Sequence, residues 1–469
     1  MSYRRRRGYG RSDRGSNSLW IIILIALIAG GAFVYTSKSF ERNAPTVNLP
    51  NFIYWNRKDP LQIKLSDDSG LKDYEVKLND GKHEMVVANE MILKNLKEKI
   101  IEIQYPKKAV NSVVLDPKAT KLQLTIDARD KSNWNFFQGN KLHRVINVKV
   151  DYKRPDVNIL SNSYSITRGG SALVVFQVKD EALKSFFVEA SGNFFKAIPY
   201  KKDGYYATLI AWPFDKESFT ANITAEDMAG NKRIANIPLY LLAKRYKTSW
   251  IQAKDKFIDG KISDLIASEP KFSTIEDRLG KLKAINETMR LENEDIIHEL
   301  GRVVSDEMIN SWKIKRFYPL KNGAKVASFG DHRHYYYQNK SNEVSQSYHV
   351  GLDMASTKMA NVVSSNAGTV VNDESNGIYG NMPMIDHGMG LYTLYGHCST
   401  ILVRKGDHIN AGTIIAKTGR TGLALGDHLH FGILVQGVEV RPEEWMDSKW
   451  IRDNVDKVFK EADKIIDGK

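Results

Sequence analysis

One cysteine, Cys398, in a chain of 469 residues leaves no intrachain disulfide and no cysteine-based zinc site. Cys398 directly follows a histidine, yet a small half-buried filler accounts for it better than a catalytic thiol. Without disulfides the chain must be held by apolar cores, with a metal as the remaining cross-link. Long apolar runs are scarce too. Leu19 to Tyr35 is the one charge-free span, and it sits at the lower limit for crossing a bilayer. Acids are nearly missing before it: the first eighteen residues hold Arg4, Arg5, Arg6, Arg7, Arg11 and Arg14 against Asp13 alone.

That arginine cluster reads as a disordered basic tail over 1–18. A nucleic-acid arm is the sharper reading and a topology signal the plainer one. The apolar span favours the second, because a basic flank stays in the cytoplasm and sends the chain beyond the span outward. No small-x-small cleavage site is visible, so residues 19–36 are expected to be an uncleaved, single-pass anchor in the cell (inner) membrane. The rest is then periplasmic or extracellular, and nucleic acid is excluded as a partner. The hydrophobic fraction of 42% is ordinary and the net charge of +13 is not. The length calls for three or four folded units.

Residues 45–153 and 154–243 read as two β-rich modules. Leu61-Gln-Ile-Lys-Leu65, Leu122-Gln-Leu-Thr-Ile126 and Thr220-Ala-Asn-Ile-Thr-Ala225 alternate with period two between Gly, Asp and Asn turns. Ala172 to Val178 also looks like a strand. Both modules end alike, Asp130 leading to Gly139-Asn-Lys141 and Asp227 to Gly230-Asn-Lys232, which is a weak internal repeat. Size and spacing suit a sandwich, and the pattern resembles the immunoglobulin-like modules of bacterial surface proteins.

Residues 250–312 switch to helical period, with Ile258, Ile262, Leu265 and Ile266 on one face and Pro270 ending it. Ser273 and Glu276 have capping-box spacing ahead of a second stripe, Ile275 to Met289. A third stripe runs from Ile296 to Met308. This helical linker is expected to pack on itself or on a neighbouring domain, since its heptads are too broken for a coiled coil. His298-Glu299 opens like a helical His-Glu-x-x-His zinc motif, but position 302 is Arg, so that site is missing. His298 is expected at the helix surface. A short helix is expected over 448–469.

From 313 the chain turns β-rich and glycine-rich, and eight of its 11 histidines fall between His332 and His430. In an extended Tyr348-His-Val-Gly-Leu-Asp-Met354, His349, Gly351 and Asp353 share one face. Gly351 leaves space between an imidazole and a carboxylate. In His428-Leu-His430 both imidazoles share a face as well. Two His and one Asp suit zinc, whose catalytic sites take three protein ligands and keep one position open. Either motif alone is more often an ordinary half-buried histidine; the two together in one short β domain are not.

His-x-x-x-Asp, then Tyr-x-His, then His-x-His resembles the signature of the lysostaphin/LytM-type zinc peptidases. Ser328-Phe-Gly330, Gly377-Ile-Tyr-Gly-Asn381, Ile385-Asp-His-Gly388, Thr393-Leu-Tyr-Gly-His397 and Gly426-Asp-His-Leu-His-Phe-Gly432 are similar to the family's successive blocks. The resemblance covers about a quarter of the chain and implies a zinc peptidase domain over 313–447. It implies that His349, Asp353 and His430 hold one zinc ion, and that His397 and His428 are the unligated catalytic histidines, one a general base and the other an oxyanion stabiliser. His387 is left out of that set, and His408 is placed at the surface. The family's opening Gly-x-Arg-x-His-Pro is replaced by Gly330-Asp-His-Arg-His-Tyr-Tyr-Tyr337. That leaves His332 or His334 as a conceivable extra ligand and the three tyrosines as groove lining. The implied substrate is the peptide cross-link of peptidoglycan. The β modules and helices would set reach or bind wall proteins. The competing reading is a non-catalytic LytM-type scaffold that activates a separate wall amidase.

Overall fold

The computed structural model describes residues 16–109 and 113–468, so most of the basic tail lies outside the described residues. The protein is mainly β. Ser16–Thr36 forms one helix, and its Leu19–Thr36 stretch is long and apolar enough to cross a membrane. Its large side chains, Trp20, Ile22 and Leu27 among them, are exposed. Beyond that the chain divides into two compact units, Met1–Lys153 with Met228–Asn231, and Arg154–Asp227 with Lys232–Lys469.

In the first unit the strands join in one six-stranded sheet, where a sandwich of two sheets was expected. Two long strands, Leu61–Asn79 and Glu84–Ile103, pair antiparallel with three shifts of register. Such bulges bend and twist a strand, which lets one sheet enclose its own core. Ile63, Leu65, Val76, Leu78, Leu124 and Ile126 fill that core with no exposed surface. The Asp…Gly-Asn signature has a local cause here. Buried Asp130 accepts the N–H groups of Ser132 (3.0 Å) and Asn140 (2.7 Å), which closes the loop between them. Gly139 has φ of 82°, and a Cβ there would lie 2.5 Å from the Asp130 carbonyl oxygen.

Apart from Met228–Asn231, the second unit contains what was read as a second module, a linker, a peptidase domain and a terminal helix. Its first part has two four-stranded antiparallel sheets around one core. Ser171–Lys179 is buried on both faces, so period-two alternation is lost there. The terminal helices account for this. Lys457–Asp467 packs Val458, Phe459 and Ala462 into that core, and Tyr200 donates to Asp463 at 2.7 Å.

The linker is helical, but not from its start. Thr248–Gln252 is a strand that pairs in parallel with Asp331–Tyr336. Helix Ser263–Ser268 stops before Pro270, as its ring requires. The next helix, Arg278–Lys283, is capped by Asp277, which accepts from Gly280 N, and not by Ser273. Helix Arg290–Gly301 comes next. The stripes Ile258, Ile262, Leu282, Ile285, Met289 and Ile297 share one core with Met382, Met384, Tyr392, Leu394 and Leu434. The helices therefore pack on the adjoining sheet. His298 is half-buried against that sheet and bonded to Glu439 at 2.5 Å, a tighter setting than a helix surface.

That sheet has eight strands in the order Ala324–Ala327, Leu352–Ala355, Leu429–Val435, Leu391–Gly396, Met384–Asp386, Gly368–Asn372 and His408–Ile409, with Val438–Val440 paired on Leu429–Val435. A three-stranded sheet of Thr248–Gln252, Asp331–Tyr336 and Glu343–His349 lies in the same unit.

Candidate metal centre and active site

Leu429–Val435 is buried along its whole length and sits between two neighbours. On one side Asp353 stands opposite His430, and on the other Gly396 does. His349 arrives differently from the expectation. It ends the strand Glu343–His349, the chain bends at Val350-Gly351, and Asp353 belongs to a strand of the other sheet. A bend, not the alternation of one strand, brings His349 to Asp353.

The three side chains converge. His349 Nε2 lies 2.9 Å from Asp353 Oδ1 and 3.1 Å from His430 Nδ1, and His430 Nδ1 lies 2.9 Å from Asp353 Oδ1. All three are buried. Among the described residues they form a group whose atoms could together hold a metal ion. The chemistry of the donors agrees. The Nδ1–H of His349 is donated to the Ser328 carbonyl (2.8 Å), so Nε2 of the neutral ring turns a lone pair toward Asp353 and His430. Lone pairs and a carboxylate packed this closely call for positive charge between them. Two nitrogens and one oxygen suit zinc. Burial opposes ionisation of Asp353, and positive charge beside it, on the His349 and His430 rings while no ion lies between them, holds it well below the usual carboxylate range. Burial pushes His430 down to about 4.

Gly351 makes the convergence possible. A Cβ at this position would lie 2.4 Å from Cε1 and Nε2 of His430 and 3.0 Å from the Phe431 carbonyl oxygen. His430 Nε2 is buried without a partner, so no hydrogen bond holds the ring on that side. Gly351→Ala is expected to tilt it and weaken zinc binding by about tenfold or more, the scale of loss when a ligand is misoriented. Competition with a chromophoric chelator measures this, and unchanged affinity would mean the ring yields without cost.

His397 and His428 flank the group, with ring centroids 4.8 Å apart. His397 comes directly after the strand Leu391–Gly396 at φ of 65°, a left-handed conformation that few side chains adopt and that clusters at functional sites. Its backbone N–H is held by Tyr379 O at 2.7 Å and its Nδ1–H by Thr421 O at 2.9 Å. His428 donates Nδ1–H to Gly426 O at 2.9 Å, and its Nε2 lies 3.8 Å from Asp353 Oδ2. A carbonyl can only accept, so each neutral ring keeps Nε2 free as a base. Burial, then the neighbouring His430 and His428, push His397 down to about 3 and keep it neutral.

The remaining histidines stand apart. His332 stacks on Tyr348 and His334 on Trp250, and neither belongs to the three-donor group. His408 is exposed. His387 is buried between Ala367 O and Thr393 Oγ1, both at 2.8 Å, and burial pushes it down to about 4. Above about pH 6.5 this ring is neutral folded or unfolded. Below that the unfolded chain takes up a proton that the folded one refuses until about pH 4, so stability falls through that window, by on the order of 3 kcal/mol. Urea denaturation at pH 7 and pH 5 measures the loss, and His387→Gln is expected to flatten it. Equal pH dependence in variant and parent would remove His387 from this role.

The cleft beside the five residues has a volume of about 1050 Å³. Tyr335 lines it, while Tyr337 donates to Asp255 (2.8 Å) and Tyr336 packs near Trp250. Sequence reasoning missed two lining residues. Tyr379 sets its ring 5.3 Å from that of His430 and donates to Glu294 at 3.4 Å. Arg333 reaches within 3.7 Å of Asp353. The signal for Arg333 was the arginine of the opening turn, displaced by one position.

Residues 347–442 match Peptidase family M23. This segment is an M23 domain. The peptidoglycan DD-endopeptidase ShyA of Vibrio cholerae is 38% identical over 89 residues, 19% of this chain and 21% of that protein. Stage II sporulation protein Q of Bacillus subtilis is 34% identical over 101 residues, 21% of this chain and 36% of that protein. The solved catalytic domain of the antimicrobial peptidase lysostaphin from Staphylococcus simulans is 25% identical, with a TM-score of 0.22, covering 27% of this chain and 92% of that one. The chain spans about a fifth of the length of the first of these relatives.

Proposed function

We propose that this chain is a membrane-anchored zinc metallo-endopeptidase that hydrolyses peptide cross-links of peptidoglycan in cell-wall remodelling. The observation that carries the reading is the convergence of His349 Nε2, Asp353 Oδ1 and His430 Nδ1 beside two histidines with free Nε2 atoms. The likeness of the M23 segment to a peptidoglycan DD-endopeptidase supports the substrate. His349, Asp353 and His430 would hold the ion. When bound, zinc would supply a Lewis acid for the scissile carbonyl and make water acidic enough to attack near neutral pH. His397 and His428 share the proton work. A neutral Nε2 takes the proton of the attacking water, and a protonated one donates to the oxyanion or the leaving amine.

The apolar helix would anchor the chain with its N-terminus in the cytoplasm and the M23 domain facing the wall, and a chain of net charge +13 suits a polyanionic wall. We read residues 154–243 as an immunoglobulin-like spacer or wall-protein binding module, on the strength of its two antiparallel sheets. The second reading, a scaffold for a separate amidase, draws on stage II sporulation protein Q, whose name states no hydrolase activity. Digestion of purified peptidoglycan by the zinc-loaded chain decides between them. Mass analysis is expected to show dimeric stem peptides converted to monomers. Full zinc occupancy without cleavage would favour the scaffold.

A further inference from the structure

Arg333 stands in the wall of the cleft with its charge poorly matched. On the strand Asp331–Tyr336, Arg333 and Tyr335 line the cleft. Its Nε lies 3.5 Å from Asp331 Oδ2 and its Nη2 3.7 Å from Asp353 Oδ2. Neither reaches the roughly 2.7–2.9 Å of a charge-assisted hydrogen bond. Both acids are engaged elsewhere. Asp331 accepts from Ser249 Oγ at 2.8 and 3.0 Å, and Asp353 Oδ1 faces the two histidines. The Arg333 side chain is 17% exposed where it lines the cleft, so its fork is open to a ligand there. A guanidinium held this way is a ready slot for a planar anion.

The rest of the cleft is predominantly of the same sign. Lys254, Lys256, Lys261 and Arg420 line it, with Lys261 Nζ fixed on Arg420 O at 2.7 Å. Of the lining acids besides Asp353, Asp427 is spent on Thr418 Oγ1 and Met359 N, and Asp264 lies within electrostatic reach of Lys261. A groove of one sign concentrates ligands of the other.

We propose that Arg333 reads a free carboxylate on the substrate, about one residue from the scissile amide, so that carboxylate-bearing peptides are preferred to their amidated counterparts. This rests on the endopeptidase reading. An amide keeps an acceptor and loses the charge, and a hydrogen bond to a charged group is about twice as strong as a neutral one. The expected preference in kcat/KM is about tenfold or more.

The test uses the full zinc-loaded chain and two synthetic cross-linked peptide dimers, identical except that the carboxylate beside the scissile bond is free in one and amidated in the other. The parent is expected to prefer the free acid, Arg333→Gln to lose the preference, and Arg333→Lys to keep part of it, since ammonium retains the charge without the fork. Calorimetric binding of the two product peptides is expected to show the same order. A parent that cuts both dimers equally, or an Arg333→Gln variant with native zinc content that keeps the preference, overturns this inference alone. Cleavage of neither dimer overturns the endopeptidase reading and this inference with it.

Discussion

Replacing His430 with Ala is expected to empty the proposed zinc site, while replacing His428, two residues away, is expected to leave the metal in place. The structure separates the two side chains. His430 is fully within the three-donor group, at 2.9 Å from Asp353 and 3.1 Å from His349. Without it two donors remain, too few for a stable zinc site, so turnover should vanish with the metal. His428 stays 3.8 Å from the far oxygen of Asp353, half-buried, with Nδ1 tied to its own loop. His428→Ala removes a proton carrier or oxyanion donor, a loss on the order of a hundredfold or more in rate with zinc retained. His397→Ala is expected to behave like His428→Ala, and Asp353→Ala like His430→Ala. Zinc stoichiometry measured alongside peptidoglycan cleavage distinguishes the classes. Zinc kept by His430→Ala and lost by His428→Ala would reverse the roles, and normal cleavage by all four variants would place the active site elsewhere.

Much of this site was legible because ligand spacing is local. His-x-His at a strand entrance and an Asp four residues beyond a histidine need only strand or bend geometry to meet. The bend itself was not legible. Gly351 was read as space along one straight strand, whereas its missing Cβ makes room for a ring from another strand, a contact 79 residues distant in sequence. Arg333 was hidden for the same reason, because it nears Asp353 only in the fold, and Asp331 beside it is taken up by Ser249 from a parallel strand that precedes the helices. Strand-like runs read in the sequence fall in Leu61–Asn79 and Lys121–Asp130 of the first β module and in Ser171–Lys179 and Ala221–Asp227 of the second. Period-two reading could not tell one bent sheet from two packed ones, since the difference lies in register shifts at bulges. The helical stripes were readable and their partner was not, because amphipathicity states that a face is covered and not by what.

That partner decides the other large effect. The M23 domain reads in sequence as a unit from about residue 313, yet a fragment of 313–469 is expected not to fold stably. Its sheet and the segment leading into it present Ile378, Tyr379, Met382, Met384, Tyr392, Leu394 and Leu434 to the helices, each buried. Buried Asn293 ties the same surface by polar contacts, accepting from Ile378 N and, through its carbonyl, from Asn376 Nδ2, both at 2.9 Å. Each large apolar side chain is worth about 1.5–3 kcal/mol when buried, so uncovering seven costs on the order of 10 kcal/mol, as much as a whole domain's usual stability. The helices also form one wall of the cleft, where Phe257, Gly260 and Lys261 line the same space as the five candidate site residues. A wall that shares the core cannot be treated as a removable cover. Thermal unfolding of 154–469 against 313–469 is the measurement. The longer fragment is expected to melt cooperatively and bind zinc, and the shorter one to aggregate or melt without a transition. A shorter fragment that melts cooperatively, binds zinc and cuts faster than the longer one would show the opposite, that the helices are a separable damper on the site.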